Sequence, residues 1–155
     1  MGTRHHQVVI NKKGITKVAQ YGQWDGYPSG QGKDILAYLK SGNLETYQKH
    51  LDTLREPNKK ECKVVNADPN WNKTYPYLSR DCGSKIHQMI EDGIVKFVGL
   101  MDTEEADKWY EGFYTIDFSK NEFTSEYHGT KSVFPIDNLP TEKEYLDAMA
   151  VGDDE

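Results

Sequence analysis

The chain has little of what stabilises exported proteins or holds proteins in membranes. Two cysteines, Cys62 and Cys82, allow at most one disulfide and cannot form a zinc cage. The mean hydropathy is −0.81, and no apolar run reaches the roughly 18 residues that a transmembrane helix needs. No cationic and then apolar pattern opens the sequence, so we expect no export. These absences predict a reduced, cytoplasmic protein with no metal, no cofactor and no membrane partner.

Positive charge is also scarce. Lysine and arginine number 19 against 25 acidic residues, which gives a net charge of −6. Such a balance argues against non-specific binding to nucleic acid, which depends on neutralising phosphates. The length of 155 residues suits one domain with its own core. We therefore expect a single domain over residues 1–150 and an acidic tail over 151–155.

Turn residues and apolar spacing predict the order of the elements. Alternation predicts two hairpins, with strands at 5–10, 15–21, 113–118 and 122–127. Period-3.6 spacing predicts helices at 35–41, after Asn43 up to Pro57, after Ser79 or Asp81 up to Gly93, from Asp102 to Trp109, and after Thr141. Further strands are expected at 62–65 and, buried on both faces, at 94–101. This order predicts an α+β fold, in which helices cover a mostly antiparallel sheet.

The stretch 21–32 is the densest functional candidate. It holds four glycines, the aromatic residues Tyr21, Trp24 and Tyr27, and the carboxylate of Asp25. Aromatic rings stack on flat ligands, and glycines let the backbone approach them closely. The alternative interpretation is structural, with the rings closing one end of the core and the glycines making turns. Composition by itself favours this second interpretation.

Two segments of the sequence resemble a known family. The opening Met1-Gly2-Thr3-Arg4, the run 20–28 (QYGQWDGYP) and the following Gly30-Gln31-Gly32 look like a family of small, largely uncharacterised phage and prophage proteins. The stretch 78–81 (LSRD) before a helix is similar to the same family. The resemblance implies a phage accessory protein in the host bacterial cytoplasm, and small phage proteins of this kind often counter host defence.

The arginines narrow the candidate site further. The sequence has three arginines, and Arg4 and Arg80 lie in the two resembling segments. The planar guanidinium fork suits phosphate or carboxylate in a way that the point charge of lysine does not. Arg4 begins the first strand and Asp25 follows the second, so an antiparallel hairpin brings their ends together, and Arg80 with Asp81 would complete the site. The alternative is an internal Arg–Asp network that fixes the hairpin to the helix.

The N-terminal hairpin and aromatic–Asp loop are also similar to N-terminal-nucleophile hydrolases. This similarity implies comparable layering of the fold. Those enzymes need Cys, Ser or Thr as the first residue. Gly2 follows Met1 here, so the nucleophile is missing.

We therefore predict a binding protein that sequesters a small phosphorylated ligand, such as a cyclic nucleotide or an ADP-ribose-type immune signal. No residue is assigned a catalytic role. Two alternatives stay open: an enzyme that cleaves such a signal with Asp25 or Asp81 as general base, and a protein–protein inhibitor of a host defence system. A homo-oligomer is compatible with the sequence. The predicted ligand-binding residues are Arg4, Tyr21, Trp24, Asp25, Tyr27, Arg80 and Asp81.

Overall fold

The computed structural model describes residues 2–100 and 110–150, and within them one five-stranded sheet and six α-helices. The strands are β1 (His5–Ile10), β2 (Thr16–Gly22), β3 (Gly112–Asp117), β4 (Glu122–Tyr127) and β5 (Thr130–Pro135). They lie in the order β2-β1-β3-β4-β5, with β1 and β3 parallel and the other neighbouring pairs antiparallel. The predicted α+β class is therefore confirmed.

Both predicted hairpins are present. In the first turn, the side-chain oxygen of Asn11 accepts hydrogen bonds from the backbone N–H groups of Lys13 (3.0 Å) and Ile15 (2.9 Å). Gly14 supplies the positive φ of +79° that this turn requires. Strand β5, which pairs with β4, was not predicted. Its alternation of half-buried and exposed residues is typical of an edge strand.

The helices are α1 (Lys33–Ser41), α2 (Leu44–Leu51), α3 (Lys59–Ala67), α4 (Trp71–Thr74), α5 (Ile86–Glu91) and α6 (Glu142–Ala148). Two of the predicted caps form. The side chain of Asn43 accepts from Thr46 N (3.1 Å), and Thr141 and Glu144 make a reciprocal capping box. Helix α2 ends at Leu51, earlier than the predicted stop at Pro57.

One face of the sheet carries a row of polar residues, two of which form hydrogen bonds with side chains of the helices above it. Gln7 Oε1 lies 2.7 Å from His87 Nε2 of α5, and Ser125 Oγ lies 2.7 Å from the Tyr145 hydroxyl of α6. The two strand residues align through Tyr114, so α5 and α6 cover the same face. The full cross-strand row is Gln20, Gln7, Tyr114, Ser125 and Ser132. This face and its helices enclose the core.

Two predicted strands are wrong. Residues 62–65 belong to helix α3 and not to a strand, because Asn58 and Glu61 form a capping box that starts a helix. Residues 94–99 are irregular, and Leu100 makes a single parallel bridge to Ala19. Ile94 and Leu100 are 50% and 42% exposed, so the stretch is not buried on both faces.

The start of α5 also differs from the prediction. A single turn at Gly83–Lys85 leads into the helix, and neither Ser79 nor Asp81 caps it. Ser79 Oγ instead accepts from Asp81 N (3.1 Å). The predicted stop at Gly93 is present, with φ +75°.

Some expectations are not settled by this fold. The predicted helix from Asp102 to Trp109 and the acidic tail lie outside the described residues. The layering implied by N-terminal-nucleophile hydrolases is not confirmed, since the described residues form one sheet. No helix in the described ranges has both the length and the apolar character to cross a bilayer.

Candidate functional site

The loop after β2 is held between two other segments of the chain. Gly26 N donates to Thr3 O (2.9 Å), and Gln23 N donates to Arg80 O (3.0 Å). The Tyr114 hydroxyl donates to Gly26 O (2.6 Å). The structure thus brings together the three segments that carry the predicted Arg4, Asp25 and Arg80. It does so through backbone hydrogen bonds.

The carboxylates of the site accept hydrogen bonds from aromatic side chains beside them. Trp24 Nε1 donates to Asp81 Oδ1 (2.6 Å), and the Tyr27 hydroxyl donates to Asp25 Oδ1 (2.9 Å). Trp24 nevertheless keeps 45% of its surface exposed. Asp25 adopts a left-handed backbone with φ +56°, an uncommon conformation for a residue other than glycine. The loop therefore presents a fixed indole and two positioned carboxylates.

Arg4 and Arg80, the two arginines of the candidate site, differ from Arg55 in the partners of their guanidinium groups. Arg55 Nη1 and Nη2 donate to Glu61 at 2.6 and 2.8 Å. The guanidinium groups of Arg4 and Arg80 have no hydrogen-bond or ion-pair partner among the residues that the structure describes. Arg4 is fixed through its backbone, whose N–H donates to Glu111 Oε2 (3.2 Å). The Arg–Asp network considered above is therefore not formed within the described part of the chain.

A groove of about 400 Å³ opens beside the loop. Two of the predicted residues, Tyr21 and Arg80, line it. The Tyr21 ring packs 5.0 Å from the ring of Tyr110, centroid to centroid, and its hydroxyl donates to Gln23 Oε1. The other lining residues are Ala19, Gln20, Glu56, Leu78, Gly99 and Leu100. The groove thus combines one guanidinium, one carboxylate and a largely apolar wall.

His5 lies fully buried behind the loop and was not predicted as part of the site. Its ring lies against Gly22 and its Cβ against Gly26, and neither ring nitrogen has a hydrogen-bond partner within the described ranges. The pKa of His5 is lowered to about 4, mainly by burial and in smaller part by the neighbouring His6, while Asp25 opposes both. His5 therefore stays neutral near pH 7.

A second buried histidine links the sheet to two helices. His87 Nε2 lies 2.7 Å from Gln7 Oε1, and its Nδ1 lies 2.9 Å from the Tyr47 hydroxyl. Burial, followed by the neighbouring His5, lowers the pKa of His87 to about 3. Sequence reasoning missed this network because residues 7, 47 and 87 share no local pattern. Within the described residues, no group of three or more His, Cys, Asp or Glu side chains is placed to hold a metal ion.

Comparison with known proteins adds no family to this geometry. No family model, curated protein or solved structure matches the chain. The phage resemblance therefore stays a prediction, and the site is interpreted from its own residues.

Proposed function

We propose that the protein binds a small phosphorylated ligand, such as a cyclic nucleotide or an ADP-ribose-type signal, and holds it without cleaving it. One observation carries this proposal. The guanidinium groups of Arg4 and Arg80 lack protein partners among the described residues and flank one loop, while Arg55 is ion-paired with Glu61. An acidic chain offers many carboxylates, so two arginines that pair with none of the described ones favour an external anion, and Arg80 lines the groove.

The surroundings suit a ligand with a flat ring and a phosphate. The ring of Tyr21 lines the groove and offers a stacking surface there, and the exposed Trp24, which is not part of the groove lining, offers a second one on the loop after β2. A groove of about 400 Å³ lies within the usual range of small-molecule sites. Glu56 in the same groove suits a hydroxyl or amine donor of the ligand.

The hydrogen bonds that Asp25 and Asp81 already accept favour binding of the ligand over its cleavage. A general base must reach the proton of an attacking water or hydroxyl. Asp81 already accepts from the Trp24 indole and Asp25 from the Tyr27 hydroxyl, so each positions an aromatic ring. Neither carboxylate lines the groove.

The phage setting belongs to the same proposal. The sequence resemblance supports a role in which the protein removes a host immune signal from solution. The exposed Trp24 favours one alternative, in which the loop contacts a host defence protein directly.

The test is ligand capture by the purified protein. The protein is incubated with a panel of cyclic dinucleotides, cyclic oligonucleotides and ADP-ribose derivatives, and the unbound compounds are removed. The protein is then heated to release what it holds. The unbound and the released fractions are both analysed by mass spectrometry. We expect one compound to leave solution and return intact. Arg80→Gln and Arg4→Gln should each weaken capture by about tenfold to a hundredfold, the usual effect of losing a charged hydrogen bond. Arg55→Gln is the matched control and should bind normally.

Each other outcome contradicts a defined part of the proposal. A converted compound would make the protein an enzyme and direct attention to Asp25 and Asp81. Equal losses in all three arginine variants would show an effect of net charge rather than a site. If no compound is captured, the ligand class is wrong and the protein-inhibitor alternative gains support. Circular dichroism of every variant separates lost binding from lost folding.

A further inference from the structure

The segment 59–74, which we call the lysine segment, contains α3 and α4 and is mostly exposed. Helix α3 has no buried residue. Val64 and Trp71 keep 53% and 39% of their surfaces exposed. A helix this short has little stability of its own, and α3 packs against the core through the half-buried Val65.

The lysines of this segment lie where helix energetics disfavour them. Lys59 and Lys60 occupy the first turn of α3, where cations oppose the helix dipole. Lys63 is four residues from Lys59 and three from Lys60, so like charges face each other. At 100° per residue, these three lysines and Val64 share an arc of about 140°. One face of α3 is therefore both cationic and apolar.

This charge is not compensated inside the segment. The four lysines at 59, 60, 63 and 73 have no ion-pair or hydrogen-bond partner among the described residues. Glu61 is held by Arg55, which together with the Asn58 backbone lowers its pKa to about 2. Asp68 accepts from Asn70 N (2.8 Å) and the Thr74 hydroxyl (2.7 Å). The segment thus presents free positive charge on a chain whose net charge is −6.

We propose that the lysine segment is a docking surface for an acidic peptide segment of another protein, with apolar side chains that cover Val64 and Trp71. An apolar centre with a charged rim is the usual composition of a protein interface, and tryptophan is frequent at its centre. A nucleic acid fits less well, because it carries no aliphatic side chain that could cover Val64. The proposal is independent of the ligand site around Arg80.

The experiment measures fluorescence anisotropy of a short fluorescein-labelled peptide of alternating glutamate and leucine. We expect binding that weakens with salt, as electrostatic steering requires. Lys59→Glu with Lys60→Glu should weaken it at least about fivefold, since each surface ion pair contributes modestly. Trp71→Ala should weaken it as well. Lys12→Glu with Lys13→Glu makes the same charge change in the exposed β1–β2 turn and should leave binding unchanged.

A stability measurement separates a functional role from a structural one. Glutamate in the first turn of a helix is favourable, so the Lys59 and Lys60 reversal should raise or preserve the unfolding midpoint while it weakens peptide binding. Binding absent at millimolar protein, or lost equally in the control pair, would overturn the proposal. Tighter binding of an oligothymidylate of equal length would identify single-stranded nucleic acid, rather than an acidic peptide, as the partner of this surface. Self-association in sedimentation that the same reversal abolishes would replace it with a second copy of the chain.

Discussion

At the scale of single residues, the tightest constraint lies where β2 ends against the buried ring of His5. A Cβ added at Gly22 would collide with the imidazole, which is fully buried, so that one of the two must shift. Gly22→Ala should therefore destabilise the fold by about 1–3 kcal/mol, the usual cost of overpacking. Urea unfolding measures this change.

Gly99→Ala is the control for Gly22→Ala. A Cβ at Gly99 meets no heavy atom within 4 Å, so its effect should stay within about 0.5 kcal/mol. Equal effects at the two glycines would mean that the His5 contact does not limit the fold. Sequence analysis identified the glycines of this loop as candidates for a tight backbone, because a cluster of glycines is visible in the sequence itself. It did not predict His5 as their neighbour, since that contact depends on how the loop folds back.

At the scale of elements, the predictions that the structure confirms are those that rest on hydrogen bonds between residues close together in the sequence. The hairpin around Asn11 and the caps at Asn43 and Thr141 were predicted because their hydrogen bonds join residues within four positions. The strand expected at 62–65 was wrong because adjacent valines favour strands, whereas the capping box at Asn58 decides for a helix. The parallel pairing of β1 with β3 joins residues about a hundred positions apart, so no local pattern indicates it.

Helices α3 and α6 have the same kind of cap and should respond differently to its loss. Asn58→Ala and Thr141→Ala each remove a side chain that accepts the N3 amide, which costs about 1 kcal/mol. Helix α6 buries Tyr145 in the core, so its loss should lower the free energy of global unfolding. Helix α3 has no fully buried residue and packs against the core through the half-buried Val65, so its loss should appear mainly as faster amide exchange within α3.

Two measurements on the same pair of variants check this difference. Urea unfolding reports global stability, and hydrogen exchange reports each helix separately. If Asn58→Ala lowered global stability as much as Thr141→Ala, α3 would be docked on the core, and the exposed lysine segment would need another explanation.

At the scale of the whole molecule, two of the three buried histidines, His5 and His87, connect folding to pH. The pKa of His5 is lowered to about 4 and that of His87 to about 3, in both cases mainly by burial. An unfolded histidine titrates near 6.5. Above that pH both states are neutral at these sites, and stability does not depend on them. Below it the unfolded chain takes up protons that the folded chain refuses, so stability is lost as the pH falls.

The expected loss between pH 6.5 and 5 approaches about 1.4 kcal/mol per pH unit for each histidine. Carboxylates with lowered pKa values, such as Glu91 and Glu144, contribute mainly below this window, where their unfolded forms begin to protonate. The window therefore isolates the histidines. Urea midpoints measured from pH 7.5 to 5 should fall steadily below 6.5, and His87→Gln should reduce the slope by about half while it weakens the fold at pH 7.

The exposed His128 provides the matched control. His128→Gln removes one imidazole from the surface. The Nε2 of His128 lies 4.0 Å from Glu111 Oε1, and both side chains are partly exposed. The substitution should leave the slope of stability against pH unchanged. Retention of the full slope in His87→Gln would mean that other groups cause the acid sensitivity. A reduced slope confined to His87→Gln would identify the hydrogen bonds among Gln7, His87 and Tyr47 as the part of the core that requires a neutral imidazole.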